Sequence, residues 1–530
     1  MKTIRKFAAF AAACLAITGL GITSLHADAT TRTFQMPSSS PAPALRDPAG
    51  KLLTAWEKLN DGDHKGAEIE LLALVASPEF KRAQVRLRFT AYVGLSICQS
   101  ASGDSQGAYG SILRAGAVAP GLRNVEYWKA LLAAAITTNR QYVAADALSA
   151  ALLVDPVKAQ AIDIDIIWTV MDSTREMNDG GYHRHMVQQA LWQAGYSPDD
   201  EAKRTGLQSF WAELFEYDVD RGENDQARSY LKAITDPYQI VRLRADKRYR
   251  QALLDDSRYT DKDAVTQRYL DYVRAQATAQ PRRIAAMHML AEALRNSGQA
   301  AESLAVSDAA LAKVNSAPAG QPAFDDLVDN LRWMLDTRAK ALSRLGRWDD
   351  ALYAAQAARD EAERQKKDTA SQAINLGEML YRLERPQEAL RAVRDMNENT
   401  ASPYGMSEVA QVKACAYAQL GDKAKARAAT DSLLENPNLD PESVRAALLC
   451  MDDKDGLAKI ILGRLEDPLT RNYELASNQG YAPRPNLTPF LATMARRLDD
   501  VLHRPDVSAA LARYGVVESY AITAPDDGVW

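Results

Sequence analysis

Apolar residues recur along most of the chain at the spacing of an amphipathic helix, and short polar turns interrupt them at regular intervals. A helix predicted over residues 373–383 carries its isoleucine and leucines on one stripe, with Gly377 inside that stripe. Glycine costs a helix about 1 kcal/mol relative to alanine, so we expect a second helix to pass very close to Gly377. Pro386 can open that second helix, because the first helical turn does not need its N–H. Ala351 and Ala389 are then the small residues that permit close packing from the partner helices.

A turn of one design follows many of these predicted helices: a glycine, or a residue in its place, with an alanine five positions later. Gly346 and Ala351 show this arrangement, as do Gly421 and Ala426. The predicted turns are marked by Gly62, Gly103, Arg140, Gly180, Gly222, Gly298, Gly346, Glu384 and Gly421. Most steps between them are about 36 to 42 residues long. A helix–turn–helix unit recurring at this interval predicts a solenoid, in which each unit packs on its neighbours.

Several packing positions resemble those of the tetratricopeptide (TPR) repeat family. They are Leu376, Gly377, Leu380 and Ala389 in one unit, Gly346, Trp348 and Ala351 in another, and Ala108 with Pro120 nearer the N-terminus. The resemblance is clearest over residues 331–438 and covers most of residues 51–466. It implies an all-α fold, a right-handed superhelical solenoid of antiparallel helix pairs. It also implies a concave surface, lined mostly by the first helix of each pair, that binds a protein or peptide partner.

One turn is missing from the series near the middle of the chain. In that region, residues 241–256 form a basic and aromatic segment. This segment resembles the terminal element that closes TPR arrays in bacterial proteins. We therefore expect two lobes, an N-terminal TPR-like array over residues 51–257 and a C-terminal TPR array over residues 258–466, with a junction near residues 245–262. One continuous superhelix with a kink is the alternative.

Residues 467–530 are predicted to form a C-terminal cap and tail. A helix over residues 490–502 is expected to cover the exposed apolar end of the stack. The last residues, from Ala521 to Trp530, are too polar and too interrupted by proline to pack on their own.

The N-terminus predicts export. Three basic residues precede a long apolar run, and Ala27-Asp28-Ala29 supplies a cleavage site. Residues 1–29 are therefore predicted to be a cleaved signal peptide, and the protein is expected in the bacterial periplasm. The alternatives are an uncleaved anchor, secretion, and an outer-membrane lipoprotein attached through Cys14. Residues 30–50, rich in proline, serine and alanine, are predicted to form a disordered linker.

Composition narrows the classes of partner. No later stretch is long and apolar enough to span a membrane. The net charge is −5, with both signs interspersed, which excludes the basic footprint of a nucleic-acid-binding protein. Cys98, Cys415 and Cys450 remain after export, and an odd number of cysteines cannot pair completely. Cys415 and Cys450 fall on neighbouring predicted helices and could meet, but we expect buried free thiols.

No catalytic, cofactor-binding or metal-binding residues are predicted. His183 and His185, with carboxylates upstream, are the densest group of metal-ligand side chains. On a helix these two residues point in different directions, so they are not expected to chelate an ion together. Asp163 and Asp165 are interpreted as the polar edges of a helix. The sequence contains neither a GxSxG motif nor a phosphate-binding glycine loop.

Two surfaces are candidates for binding. By resemblance to TPR grooves, the predicted peptide-binding groove consists of Trp333, Asp336, Lys340, Arg344, Glu378, Tyr381, Arg382, Glu408 and Gln411. These side chains are polar or aromatic and lie off the packing stripe, so we expect them to face solvent.

The second candidate is an anion-binding junction formed by Arg242, Arg244, Lys247, Arg248 and Arg250. Such a cluster can bind an anionic glycan, a phospholipid headgroup or a carboxylate tail. The alternative is local neutralisation by Asp246, Asp255 and Asp256 and by carboxylates of neighbouring repeats.

The function predicted from these features is that of an exported scaffold, which mediates protein–protein interactions in the cell envelope without catalysis of its own. One alternative is an all-α carbohydrate-active enzyme, such as a glycosidase, a lyase or a lytic transglycosylase-like protein. Such a cleft needs stacked aromatic residues and two converging carboxylates, whereas aromatic residues make up only 7% of this chain. The other alternative is a structural spacer in a polysaccharide-export or envelope assembly.

Overall fold

The computed structural model describes residues 47–525, except residues 176, 180, 199, 200, 319, 367 and 368 and the side chains of residues 201–203. The predicted signal peptide over residues 1–29, the linker up to residue 46 and the turn marker Gly180 lie outside the described residues. Within the described part of the chain there are helices, turns and two isolated β-bridges, but no strand. None of these helices has the length and apolar character that a membrane crossing requires.

The chain divides into two compact units, Met1–Asp199 and Asp200–Trp530. The junction predicted near residues 245–262 lies inside the second unit. The linker prediction ran to residue 50, but the first helix begins at Pro48. Asp47 caps it, because its Oδ1 accepts a hydrogen bond from Ala49 N at 3.1 Å, and proline is favoured at the first helical position.

The first unit consists of helix pairs joined by short turns. Its helices are α1 Pro48–Asn60, α2 His64–Ala76, α3 Val85–Ser102, α4 Ser105–Val118, α5 Val125–Thr137, α6 Gln141–Val154, α7 Pro156–Ala159, α8 Ile164–Thr174 and α9 Tyr182–Gln193. The pairs are α1/α2, α3/α4 and α5/α6, and α9 packs against α6. Alanine fills much of the buried face of α6, where Ala144, Ala145, Ala147 and Ala151 are all buried. Small side chains there let neighbouring helices approach closely.

One turn geometry joins the two helices of each pair, and it explains the repeated sequence. Between α3 and α4, Gly103 has a φ of 87°, and Asp104 N donates a hydrogen bond to Gln99 O at 2.9 Å. This bond closes a Schellman turn, which needs a residue with positive φ and therefore favours glycine. Asp104 Oδ1 then accepts from Gly107 N at 2.9 Å and caps α4. Ala108, the fifth residue after the glycine, is fully buried against the first helix.

The same bond recurs at intervals along both units. It joins Asp63 N to Lys58 O, Arg140 N to Ala135 O, Glu223 N to Asp218 O, Gln299 N to Leu294 O, Arg347 N to Leu342 O, Arg385 N to Leu380 O, Asp422 N to Tyr417 O and Asp453 N to Leu448 O, at 2.8 to 3.0 Å. At these turns the residues with positive φ are Gly62, Gly103, Asn139, Gly222, Gly298, Gly346, Glu384, Gly421 and Asp452. Seven of the predicted markers therefore occupy the left-handed position. At Arg140 that position belongs to the preceding Asn139, and the turn at Asp452 was not predicted.

The second unit continues this arrangement. Its helices are α10 Glu201–Gly206, α11 Gln208–Asp220, α12 Asn224–Tyr230, α13 Pro237–Ala245, α14 Lys247–Leu254, α15 Lys262–Ala279, α16 Ile284–Asn296, α17 Ala300–Asn315, α18 Leu327–Arg344, α19 Trp348–Arg364, α20 Ala370–Arg382, α21 Pro386–Ala392, α22 Pro403–Gln419, α23 Lys423–Leu434, α24 Pro441–Cys450, α25 Lys454–Glu466, α26 Arg471–Ser477, α27 Pro489–Leu502 and α28 Pro505–Tyr514. We call α16, α18, α20, α22 and α24 the first helices, because each opens a pair and successive members of this set pack against one another. The chain is thus an all-α solenoid of TPR-like helix pairs, as the sequence predicts.

Gly377 confirms the close packing predicted for α20. A Cβ atom at this position would lie 3.1 Å from Val393 Cγ1 and 3.1 Å from Val412 Cγ1. Ala351 and Ala389 are both fully buried. A larger side chain at any of these positions would push neighbouring helices apart.

The beginning of the second unit packs against its end. Helix α13 lies on α26, where Arg242 stacks over the Tyr473 ring with its Cζ atom 4.3 Å from the ring centroid. Tyr473 Oη also donates to Glu213 Oε1 at 2.8 Å. The segment that the sequence marked as a junction between lobes is therefore in contact with the C-terminal helices of the same unit.

The C-terminal region covers the ends of the first helices, whose last carbonyl groups lack partners within their own helices. Val516 N donates to Ala245 O at 2.9 Å and Thr523 N donates to Asn296 O at 2.8 Å. Asn486 Nδ2 donates to Arg344 O at 3.1 Å, and Thr488 Oγ1 donates to Arg382 O at 2.9 Å. Four helix ends, those of α13 and of the first helices α16, α18 and α20, are thus capped from residues 486–523.

Ile522 and Thr523 are buried because they lie on α13 and α16, so the residues just after Ala521 pack on other elements and not on their own. The prediction for two of the cysteines is corrected. Cys415 and Cys450 form a disulfide between α22 and α24, whereas the sequence favoured free thiols. Cys98 is the unpaired cysteine in the described residues, and it is buried.

Candidate functional site

Buried polar side chains tie successive first helices of the second unit together. Gln372 Nε2 on α20 donates to Asp336 Oδ2 on α18 at 3.0 Å. Gln411 Nε2 on α22 donates to Glu378 Oε1 on α20 at 2.9 Å, and Gln411 Oε1 accepts from Ser443 Oγ on α24 at 2.8 Å. We call these five residues the polar ladder. Its bonds span 36, 33 and 32 residues along the chain, so the ladder has the period of the helix pairs.

The ladder continues toward the C-terminus with charged groups. Arg445 donates from Nη2 to Glu474 Oε1 at 2.8 Å and from Nη1 to Asn478 Oδ1 at 2.9 Å. Arg464 Nε donates to Glu474 Oε2 at 2.8 Å. Each oxygen of the buried Glu474 carboxylate therefore receives a charge-assisted hydrogen bond, which is what a buried ion pair needs to be stable.

The predicted groove residues divide into a buried and a partly exposed set. Asp336, Arg344, Tyr381, Arg382 and Gln411 are buried, which corrects the expectation that they face solvent. Trp333, Lys340, Glu378 and Glu408 remain partly exposed. They lie on three successive first helices, α18, α20 and α22; Glu378 belongs to the polar ladder, and the other three lie on the helices that the ladder connects.

The burial has two physical causes. Polar groups of neighbouring helices bond one another, as Gln411 Nε2 does with Tyr381 Oη at 2.8 Å. The C-terminal region also covers part of the surface, and the rings of Tyr381 and Phe490 pack edge to face with centroids 5.8 Å apart. A residue that lies off the apolar stripe of its helix is therefore not necessarily exposed to solvent in this protein.

Burial changes the ionisation of the ladder. Loss of solvent raises the pKa of Asp336 to about 6, although the hydrogen bond from Gln372 and the charge of Lys340 oppose this rise. Burial likewise raises the pKa of Tyr381 to about 12, helped by the negative charge of Glu378. The pKa of Asp440 is also raised, first by burial and then by the nearby Glu442 and Glu378. Asp336 and Asp440 are thus carboxyl groups that are costly to ionise.

The five cations of the predicted junction are each bound by groups of this chain. Arg242 Nη2 lies 3.0 Å from Glu216 Oε1, and burial raises the pKa of Glu216 to about 7 despite Arg242. Arg248 Nη2 donates to Asp246 Oδ2 at 2.7 Å, and Lys247 Nζ donates to Ala512 O at 2.5 Å.

Arg244 and Arg250 together hold one carboxylate from the C-terminal tail. Arg244 donates from Nε to Glu518 Oε2 at 2.8 Å and from Nη2 to Glu518 Oε1 at 2.9 Å. Arg250 Nη2 donates to Glu518 Oε1 at 2.8 Å. These bonds hold the pKa of Glu518 well below its ordinary value of 4.5, against the effect of burial. The predicted partners Asp255 and Asp256 bond Gln251 and Arg258 instead.

Sequence reasoning missed residues of two kinds. Gln372 and Ser443 belong to the ladder, and a search for polar residues one repeat away from Asp336 and Gln411 would have found them. Glu518 is separated from Arg244 by 274 residues, and nothing in its neighbourhood of the sequence marks it as an ion-pair partner.

The structure shows how His183, one of the metal-ligand side chains noted in the sequence, is arranged with nearby carboxylates. No group of three or more histidine, cysteine or carboxylate side chains is arranged there to hold a metal ion. His183 Nδ1 lies 2.5 Å from Asp179 Oδ2, and His183 Nε2 lies 3.5 Å from Asp146 Oδ1. Both ring nitrogens of His183 therefore face carboxylates, an arrangement that orients the ring between α6 and α9.

No family model matches the chain, and no curated protein matches it. Among solved structures it is similar to the human IFIT1 dimer with m7Gppp-AAAA, with a TM-score of 0.31 and 11% identity over 85% of this chain and 94% of the IFIT1 chain. It is also similar to yeast Tom70, with a TM-score of 0.25 and 13% identity over 88% of this chain and 96% of Tom70. A third is the APC/C hetero-tetramer Cut9–Hcn1, with a TM-score of 0.29 and 12% identity over 88% of this chain and 90% of the matched chain. These TM-scores are low, so the TPR-like fold rests on the helix pairs and turns of this chain.

Proposed function

We propose that this protein is an exported scaffold of the bacterial cell envelope, which binds a protein or peptide partner and has no catalytic activity of its own. The observation that carries this proposal is the row of partly exposed side chains on successive first helices, Trp333 and Lys340 on α18, Glu378 on α20 and Glu408 on α22. An aromatic ring beside charged groups of both signs is suited to holding a peptide segment.

The polar ladder gives this row a fixed geometry. Glu378 is held by Gln411 Nε2 at 2.9 Å and by Arg382 Nη2 at 2.9 Å. Lys340 lies one helical turn from the buried Asp336, whose position is fixed by Gln372. Side chains held in place before binding lose less conformational entropy when a partner binds. A surface built in this way is suited to recognition.

Two features support export to an oxidising compartment. The first is the charged and apolar N-terminus with its cleavage site. The second is the disulfide between Cys415 and Cys450, because structural disulfides persist in the periplasm and are rare in the cytosol. We therefore place the mature protein in the periplasm, with a lipoprotein attached through Cys14 as the alternative.

Affinity capture from envelope extract tests the binding surface. Tagged wild type should retain a partner that Trp333→Ala combined with Lys340→Glu loses by at least about tenfold, since removing a buried aromatic contact and reversing a charge each cost more than about 1 kcal/mol. The matched control is Tyr353→Ala combined with Arg391→Glu, on second helices α19 and α21, where both side chains are exposed. Equal capture by both variants would contradict this site.

The two alternative functions, a carbohydrate-active enzyme and a structural spacer, predict different results in experiments on the same protein and envelope extract. A carbohydrate-active enzyme would release soluble products from peptidoglycan or polysaccharide when incubated with the purified protein. A spacer would fractionate with an envelope assembly, and neither pair of substitutions would release it. The scaffold proposal expects no product release and loss of capture by the first variant alone.

A further inference from the structure

The C-terminal tail is bound to the rest of the second unit as an extended peptide. Gly480 N donates to Glu518 O at 2.9 Å, Tyr520 N donates to Gly480 O at 2.8 Å, and Ala482 N donates to Ile522 O at 2.9 Å. These bonds pair residues 480–482 with residues 518–522 in the manner of an added parallel strand. Strand addition is a general mode of peptide recognition, in which main-chain bonds supply affinity and alternate side chains supply specificity.

Alternate side chains of the tail point in opposite directions. Val517, Ser519 and Ala521 are exposed, while Glu518 is largely covered and Tyr520 and Ile522 are buried. Tyr520 and Ile522 pack with Val241 in one apolar cluster, which also touches Tyr238 and Tyr481. The inward side of the tail therefore carries an acidic, an aromatic and an aliphatic side chain at every second position.

Each inward side chain meets a matching group. The Glu518 carboxylate receives hydrogen bonds from Arg244, Arg250 and, at 2.9 Å, from Tyr520 Oη. Lys262 Nζ donates to Ser519 O and lies 5.2 Å from the centroid of the Tyr520 ring. Two arginines on one carboxylate give both charge and direction to the contact. The groups that hold the tail, Val241, Arg244, Arg250, Lys262, Asn296 and Gly480, are called the tail site.

We propose that the tail site is an extended-peptide receptor which the chain's own C-terminal segment occupies in cis. In trans it accepts a partner protein that presents an extended segment with a glutamate, an aromatic residue and an aliphatic residue at alternate positions. The tail itself demonstrates the chemistry that this site binds. The site lies at the ends of α13 and α16, away from Trp333 and Glu408, and the inference does not depend on the proposed function of that surface.

The covalent arrangement makes exchange feasible. The tail begins after Tyr514, the last residue of α28, and residues 515–524 contain no helix, so the tail can leave its site without unfolding a helix. An attached segment competes at an effective concentration on the order of millimolar. If the free peptide binds with a Kd on the order of 10 μM, the closed tail weakens its apparent affinity about 100-fold. The tail would thus restrict the site to partners that are abundant or bind tightly.

A synthetic peptide of residues 515–525, carrying a fluorophore at its N-terminus, tests this proposal in the full-length chain. Combined Glu518→Ser, Tyr520→Ser and Ile522→Ser should empty the site, and fluorescence anisotropy should then show binding about 100-fold tighter than to wild type. The matched control, Val517→Ser with Ser519→Ala and Ala521→Ser, alters only the exposed side and should bind like wild type. A peptide carrying Glu518→Lys should bind the emptied variant at least about tenfold more weakly.

Hydrogen exchange in the unaltered chain provides a second measurement, which does not depend on the folding of any variant. Excess peptide should accelerate exchange of the Tyr520 and Thr523 amides while leaving the helix amides of α20 unchanged. A folded emptied variant that binds no peptide would overturn the proposal, as would peptide binding that ignores Glu518→Lys. Concentration-dependent dimerisation of wild type through an exchanged tail would overturn the partner assignment in favour of a second copy of this chain.

Discussion

Cys415 on α22 and Cys450 on α24 are joined by a disulfide, with their Cα atoms 5.0 Å apart and a separation of 35 positions in the sequence. That separation is one helix pair, so the disulfide joins the same two successive first helices that the polar ladder links through Gln411 and Ser443. The covalent and the hydrogen-bonded connections therefore reinforce the same contact.

Replacing both cysteines with alanine should lower the free energy of unfolding by about 2–4 kcal/mol, because a closed loop of this length restricts the unfolded chain. Urea unfolding with and without a reductant measures the effect. Reductant should shift the wild-type midpoint and leave the double variant unchanged. Cys98→Ala serves as the control, since Cys98 is unpaired and its variant should keep the wild-type response to reductant.

Gly377→Leu should destabilise the protein by about 2–4 kcal/mol, because a side chain there collides with Val393 and Val412 at 3.1 Å. Gly463 on α25 is the matched control, since no atom lies near the position of its missing Cβ. Gly463→Ala should therefore gain up to about 1 kcal/mol from helix propensity alone. Equal midpoints in urea for the two variants would contradict the packing assigned to α20.

Local signals account for the part of the fold that the sequence predicts. A Schellman turn needs one residue with positive φ. Gly346 and Gly421 indicate this position in the sequence, within a few residues of the helix end. The turn at Asp452 was missed because aspartate replaces the expected glycine there. Gly377 is equally informative, since a glycine inside a helix stripe indicates a close neighbour.

Contacts between distant parts of the chain account for what the sequence does not predict. The Arg244–Glu518 pair joins residues 274 positions apart, and no pattern within one repeat indicates it. Arg344 and Arg382 lie off the apolar stripe, as groove residues should, yet they are buried, and Asn486 and Thr488 bond their backbone carbonyl groups. The predicted groove residues therefore lie on successive first helices, while their exposure depends on a segment folded back from the C-terminus.

Asp336 should make stability depend on pH. Burial raises its pKa from 3.8 to about 6, so between about pH 4 and pH 6 the folded chain binds a proton that the unfolded chain has lost. The contribution of this group to stability therefore falls as pH rises through that range and stays low above it. Asp336→Asn should remove this slope and be more stable than wild type above pH 6 by an amount on the order of 1–3 kcal/mol.

Urea unfolding at a series of pH values between 4.5 and 8 measures this difference. Asp360→Asn is the control, since Asp360 is exposed on α19 and its removal should leave the slope unchanged. A difference between Asp336→Asn and wild type that did not vary with pH would contradict the assigned ionisation.

Gln411 has more hydrogen-bond partners than any other member of the polar ladder. Its replacement should therefore destabilise three helices. Its amide bonds Glu378 Oε1 at 2.9 Å, Tyr381 Oη at 2.8 Å and Ser443 Oγ at 2.8 Å. Gln411→Ala leaves these groups buried without that partner, so we expect a loss of about 2–4 kcal/mol in the free energy of unfolding. Gln356→Ala on α19 removes an exposed glutamine bonded only locally to Asp360, and should cost no more than about 0.5 kcal/mol.

Hydrogen exchange adds a spatial test, because Gln411→Ala should accelerate amide exchange in α20, α22 and α24 and leave α28 unaffected. Faster exchange confined to α22 would show that the ladder does not couple the first helices.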